Sequence, residues 1–322
     1  MSSLREIAES RSISVGTCVN YSTWKDDGDY RNLISEEFNM LTPENCLKWS
    51  FIHPEKEEFD FEKADELVEF ARENEMGVTG HTLVWHMQNP EWLGEENFES
   101  EEVERIMKNH IMEVVSHYSG EVEAWDVVNE AVNDEAELRE SIWLKAMGEE
   151  YIEKAFREAS KHCDAKLFYN DYGLIYDTEK REKVHQLLSD LLDKGVPIDG
   201  IGLQSHFIGV HPTSEEISNT IEKFQDLGLE VRMTELDVAY EKGKAPEKLE
   251  EKQTEYYRKI FQAYLENGVK HLCLWGLRDS DSWINTFQDY DEKYSDRPLL
   301  FGENGDRKKS YEEVKDSIKE LN

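Results

Sequence analysis

Short runs of apolar and β-branched residues recur along the chain at Ile13–Val19, Phe38–Thr42, Gly77–Trp85, Val122–Val128, Ala165–Asn170, Ile198–Gln204, Leu229–Glu235 and Val269–Leu277. Between them, apolar residues fall at three- and four-residue spacing, as in Val103, Ile106, Met107, His110, Ile111, Val114 and Val115. Similar stripes run through Val184, Leu187, Leu188, Leu191 and Leu192, and through Tyr257, Ile260, Phe261, Tyr264 and Leu265. The first pattern is that of strands and the second that of helices with one buried face. Strands alternating with helices imply a parallel sheet covered on both sides. Eight such units predict an α/β fold, a single (β/α)8 TIM barrel spanning residues 1–322 as one domain. No Gly-rich GxGxxG turn follows any of the runs, which argues against a dinucleotide fold.

In barrels of this kind the chemistry sits at the C-terminal ends of the strands. Here those ends carry Glu44, Asn45 and Lys48 after the second run, His81, Trp85 and Gln88 about the third, and Asn129 and Glu130 after the fourth. The fifth ends in Asn170 and Asp171, the sixth in Gln204 and His206, the seventh in Glu235 and Asp237, and the eighth in Trp275, with Trp283 beyond it. Polar and aromatic groups thus converge on one mouth.

Composition narrows what that mouth can receive. With 38% hydrophobic and 34% charged residues among 322, the chain is that of a soluble globular protein. The 71 acidic residues against 37 basic ones give a formal charge of −34. Such a surface repels phosphates and anionic lipid headgroups, so nucleic acid and membrane are excluded as partners, whereas a neutral substrate is indifferent to it. The acidity fits adaptation to salt or alkaline surroundings as well as plain solubility. Cys18, Cys46, Cys163 and Cys273 have no CxxC spacing and read as reduced and mostly buried. The N-terminal stretch has no apolar h-region and no eighteen apolar residues run together, so the expected location is cytoplasmic, or secreted if a signal peptide has been removed. The sequence leaves the oligomeric state open between a monomer and a weak homodimer. No cofactor is called for. His81 and His86 stand five apart on a segment read as extended, where they face opposite sides, and no HxH or HExxH spacing exists, which disfavours a metal.

A carboxylate at the end of an apolar strand is costly unless paired, hydrogen-bonded or used. Glu130 and Glu235 are read as each ending an apolar strand, the fourth and seventh of eight, and so as standing roughly opposite across the mouth. Two carboxylates about 5–5.5 Å apart on either side of a glycosidic bond support a retaining mechanism. His206 is a candidate donor to Glu235, with Asp237 orienting its imidazole. Sugar rings are apolar on their faces and hydroxylated at their edges, so a sugar site needs aromatic platforms and polar edge groups. Trp85, Trp275 and Trp283 are candidate platforms, and Glu44, Asn45, Lys48, His81, Gln88 and Gln204 candidate edge contacts; Trp49, Trp92, Trp125 and Trp143 read as core anchors, and Asn170 and Asp171 as support.

The segments Thr42-Pro43-Glu44-Asn45-Cys46-Leu47-Lys48-Trp49, Gly80-His81-Thr82-Leu83-Val84-Trp85-His86, Trp125-Asp126-Val127-Val128-Asn129-Glu130, Gly202-Leu203-Gln204-Ser205-His206, Thr234-Glu235-Leu236-Asp237 and Trp275-Gly276 with Asp281-Ser282-Trp283 resemble those of family 10 glycoside hydrolases, the endo-1,4-β-xylanases. They stand in that family's order and span nearly the whole chain. The resemblance implies xylan or xylo-oligosaccharides as substrate, Glu130 as general acid/base, Glu235 as nucleophile and Asn129 as donor to the sugar 2-hydroxyl. It departs at Cys46 and Leu47, where the family more usually has Glu or Gln followed by Met, and at Met87, where Ser is common. Rival readings are a β-1,4-glucanase or mannanase with the same two glutamates, a non-catalytic sugar-binding protein, and a Schiff-base aldolase using Lys48.

Overall fold

The structure, a computed structural model, describes residues 2–95, 98–242, 248–287, 293–294 and 297–321. Among the described residues, nine strands form in chain order: β1 (Ser14–Val19), β2 (Met40–Pro43), β3 (Gly77–Val84), β4 (Ala124–Asn129), β5 (Lys166–Asp171), β6 (Gly200–Leu203), β7 (His206–Ile208), β8 (Glu230–Ala239) and β9 (His271–Leu274). Their order in the sheet is β6-β5-β4-β3-β2-β1-β9-β8-β7, and β6 also pairs with β8. That last pairing closes eight strands into a parallel (β/α)8 barrel, with β7 as an added strand beside β8. Each of the eight apolar runs overlaps one barrel strand.

Two ends depart from the sequence reading by three residues or more. The last strand stops at Leu274. More consequentially, β8 does not end at Glu235 but continues to Ala239, so Glu235 lies within its strand. The cause is β7, which no apolar run announces. It pairs parallel with the far end of β8, His206 opposite Asp237 and Ile208 opposite Ala239, and gives those residues a ladder partner.

The described chain divides into two compact units, 42–202 with 227–230, and 1–41 with 203–226 and 231–322. In the first, the core is built on Trp49, Trp125 and Trp143, all fully buried. The helix Ser100–His117 turns Val103, Ile106, Met107, His110, Ile111, Val114 and Val115 inward, the stripe read from spacing. Gly80 is dictated by Trp125, because a Cβ at that position would lie 2.2 Å from the indole. This close approach seats β3 against β4 and brings His81 opposite Asp126.

In the second unit a buried carboxylate joins distant segments. Glu37 accepts from the backbone N–H of Leu4 at 2.9 Å, the Tyr311 hydroxyl at 2.7 Å and the Arg307 guanidinium. These bonds tie the N-terminal helix Leu4–Ser10 to the final helix Lys309–Lys319. Burying an ionised carboxylate is tolerable because it is paired and its oxygens are fully used. Cys18, Cys46 and Cys273 are buried reduced thiols, and Cys163 is half-buried.

Candidate active site

The unit formed largely by residues 42–202 carries Glu130, the first residue after β4, with a φ of 55°. A non-glycine residue there is uncommon and is kept only when its surroundings over-determine it. They do: the Glu130 N–H donates to the Asn170 carbonyl at 2.9 Å, and Arg139 Nε donates to the Glu130 carbonyl at 3.1 Å. The turn re-aims the side chain, whose Oε2 accepts from Trp85 Nε1 at 2.9 Å and lies 3.9 Å from His86 Nδ1. Its Oε1 accepts from Asn129 Nδ2 at a long 3.4 Å. The carboxylate is 13% exposed and keeps a face to solvent.

Neighbouring groups are fixed by register. His81 and Asp126 are opposite on β3 and β4, and His81 Nδ1 donates to Asp126 Oδ2 at 2.9 Å. Asn129 and Asn170 are opposite on β4 and β5, and Asn170 Nδ2 donates to Asn129 Oδ1 at 3.0 Å. That bond fixes the orientation of the Asn129 amide, whose Nδ2 is directed at Glu130 Oε1. Lys48 is buried, donates to Asn45 Oδ1 at 3.0 Å and lies 5.0 Å from the centre of the Trp85 ring. Glu44 and Gln88 are half-buried beside them, and Gln88 holds a φ of 48°. Its carbonyl accepts from the Ser50 N–H at 2.9 Å, tying the two loops together.

Beneath Glu130 lies a polar network. Asp171 is buried and pairs with buried Lys180 at 2.8 Å, and its other oxygen accepts from Tyr169 at 2.6 Å. Burial pushes the Asp171 carboxyl up, Lys180 opposes this and the charge of Glu130 adds to it, so that it titrates at about 6. His86 moves the other way. Burial lowers it to about 4 against the opposing pull of Glu130, so it is a neutral imidazole near neutral pH.

The other unit carries Glu235 and its partners. Glu235 and Asp237 are two residues apart on β8 and therefore share a face. His206, opposite Asp237 in register, bridges them, its Nδ1 3.0 Å from Asp237 Oδ2 and its Nε2 3.2 Å from Glu235 Oε2. A neutral imidazole has one N–H, so bonding to two carboxylates requires the imidazolium. Burial alone would lower the pKa of His206, but the charges and hydrogen bonds of Asp237 and Glu235 prevail and raise it to about 10. The Glu235 N–H donates to the carbonyl of buried Gln204 at 3.0 Å. Trp275 is buried, its ring edge-on to His206 with centroids 6.4 Å apart. Trp283 is half-buried and its Nε1 donates to Asp237 Oδ2 at 2.7 Å.

Within the first unit the structure thus brings together Glu44, Asn45, Lys48, His81, Trp85, Gln88, Asn129 and Glu130, and within the second Gln204, His206, Glu235, Asp237, Trp275 and Trp283. Trp49, Trp125 and Trp143 are buried, while Trp92 is half-buried and bonds the His53 carbonyl at 3.3 Å. Sequence reasoning gave no role to His86, Arg139, Tyr172 or Lys180. His86 stood inside a quoted segment, and its adjacency to Trp85 was the available signal. Lys180 offered none, because a lysine in a polar helical stretch reads as solvated.

The sequence profile of glycosyl hydrolase family 10 matches residues 3–317. The chain is 41% identical over 309 residues to "Endo-1,4-beta-xylanase B" of Thermotoga neapolitana, covering 92% of this chain and 89% of that protein. It is 43% identical over 298 residues to "Beta-1,4-xylanase" of Dictyoglomus thermophilum, covering 88% and 83%. Among solved structures it resembles native xylanase 10B from Thermotoga maritima, with a TM-score of 0.93 and 42% identity over 98% of both chains. Xylanase 10B from Thermotoga petrophila RKU-1 in complex with xylobiose matches with a TM-score of 0.93 and 41% identity, over 98% of this chain and 97% of that one.

Proposed function

Because the chain belongs to glycosyl hydrolase family 10 and is an enzyme, a glycoside hydrolase, we propose that it is an endo-1,4-β-xylanase that cleaves xylan or xylo-oligosaccharides with retention of configuration. One observation carries the mechanistic part: two carboxylates, one just beyond barrel strand β4 and one in the second half of β8, each accept from a donor, Glu130 from Trp85 and Glu235 from His206.

The two environments divide the labour. Glu235 accepts from an imidazolium, an interaction that favours the charged carboxylate a nucleophile needs. Glu130 accepts from a neutral indole N–H and is partly exposed, which suits a group that gains and loses a proton each cycle. In the first step Glu235 forms a bond to the anomeric carbon while Glu130 protonates the departing glycosidic oxygen. In the second, Glu130 takes a proton from water, whose oxygen displaces Glu235 and restores the starting stereochemistry. Asn129, its amide set by Asn170, is the donor to the 2-hydroxyl of the reacting sugar. Trp85, Trp275 and Trp283 receive the apolar sugar faces. Glu44, Asn45, Lys48, His81, Gln88 and Gln204 bind hydroxyls.

The test is product analysis of xylan and xylohexaose digests with proton NMR during the first minutes. Internal cleavage with the β-anomer appearing before mutarotation is expected. Initial α-anomer, or activity confined to glucan or mannan, would overturn the reading.

A further inference from the structure

The Trp283 indole makes a bond that a sugar platform does not require. Its Nε1 donates to Asp237 Oδ2 at 2.7 Å, the same oxygen that accepts from His206 Nδ1 at 3.0 Å. Asp237 is fully buried, and its other oxygen has no hydrogen-bond partner among the described residues. One oxygen therefore takes both donors, and whatever Trp283 withdraws from its charge is withdrawn from the bond to His206. The indole is held for this. It opens a short turn, Trp283–Asn285, capped by Ser282, and packs with Ile208 against Ala239, Ile284 and Tyr294. Its ring meets that of His206 edge-on at 5.3 Å.

We propose that Trp283 is a positioning residue, the outer member of a hydrogen-bonded chain Trp283–Asp237–His206–Glu235, and that its N–H tempers Asp237 so that the imidazolium donates effectively to Glu235. The inference rests on the proposed role of Glu235 as nucleophile. Among the described residues, the titratable and charged groups facing this chain include Glu235, Asp237 and His206 themselves, and Tyr257 from the helix Leu249–Glu266, which lies in the field of Asp237. Trp275 presents its ring edge-on to His206.

The direction of the effect follows. Without the indole N–H, Asp237 puts its full charge on the single remaining donor. The proton on His206 Nδ1 is pulled towards Asp237, the opposite Nε2–H becomes a weaker donor, and Glu235 accepts a proton at higher pH.

Trp283→Phe keeps an aromatic ring and removes the N–H. The acid limb of kcat/KM on an aryl xylobioside should move about half a pH unit to higher pH, a fraction of what a bond to a charged group is worth. In an Asp237→Asn background the same substitution should leave the limb unmoved, because the chain is already broken. Two NMR readouts need no substrate. The His206 Nδ1 proton should shift further downfield in Trp283→Phe. In the wild type, which carries no risk of misfolding, the Trp283 indole N–H resonance should shift as His206 loses its proton at alkaline pH. A change in KM alone with a stationary limb, or an indole resonance indifferent to His206, would overturn the proposal and leave Trp283 a platform. Failure of the wild type to release sugar from xylan would instead refute the proposed function and leave the NMR readouts to decide this one.

Discussion

The ammonium group of Lys180 lies 2.8 Å from Asp171 Oδ1 and 3.3 Å from the centre of the Tyr172 ring, with neither Lys180 nor Asp171 exposed to solvent. Buried pairs of this kind stabilise little relative to a well-packed apolar substitute, but removing one partner strands the other. Lys180→Met should therefore cost about 3–5 kcal/mol in urea unfolding at neutral pH. Adding Asp171→Asn should recover a measurable part of that loss. Equal stability of Lys180→Met and wild type would mean that water reaches Asp171.

His206 gives an alkaline signature. Its folded value of about 10 stands above the 6.5 of a free imidazole, so the stability it contributes is complete below pH 6.5 and is lost as pH rises through 10. The loss is at most about 1.4 kcal/mol per pH unit. Urea midpoints between neutral pH and pH 10 should fall more steeply for the wild type than for His206→Gln. Parallel slopes would contradict a proton held between Asp237 and Glu235.

Glu130→Ala and Glu235→Ala should fail in different ways. Without Glu130, a substrate with a good leaving group still forms the glycosyl-enzyme, so aryl-xyloside turnover persists and azide rescues it with retention. Loss of acid/base assistance is worth about 10²–10⁴-fold on xylan. Without Glu235, turnover is lost on every substrate unless a small anion replaces the nucleophile and gives the inverted product. Identical behaviour of the two variants would refute the assignment.

The charge of −34 stores self-repulsion in the folded chain. Raising ionic strength from 0.1 to 1 M shortens the screening length from about 10 to about 3 Å, so Tm should rise over that interval. A flat or falling Tm would show that the anionic side chains are neutralised locally.

What was legible in the sequence was the part written by continuous apolar runs. The runs ending near Thr42 and Asn170 each hold a strand within two residues of the expected bounds. The three-residue β7 was not legible, because His206–Ile208 is too short to show a period, and with it went the continuation of β8 past Glu235. The candidate site was legible where a polar or aromatic residue followed closely on an apolar run, as at Glu130 and His206. The bonds of the tryptophans were not. Trp85 and Trp283 read as flat sugar-binding surfaces, yet each also donates its indole N–H to a carboxylate distant in sequence, Glu130 just after β4 and Asp237 on β8. Spacing along a chain encodes the face a side chain occupies, not the atom its polar end will reach.

The central claim is that Glu235 becomes covalently attached to the sugar. A 2-deoxy-2-fluoro aryl xylobioside slows the second step more than the first, so the intermediate should accumulate, and peptide mass spectrometry should find one fluoroxylobiosyl group on the peptide containing Glu235. Absence of an adduct from an enzyme that is time-dependently inactivated, or its presence on Glu130 or any other residue, would contradict the account.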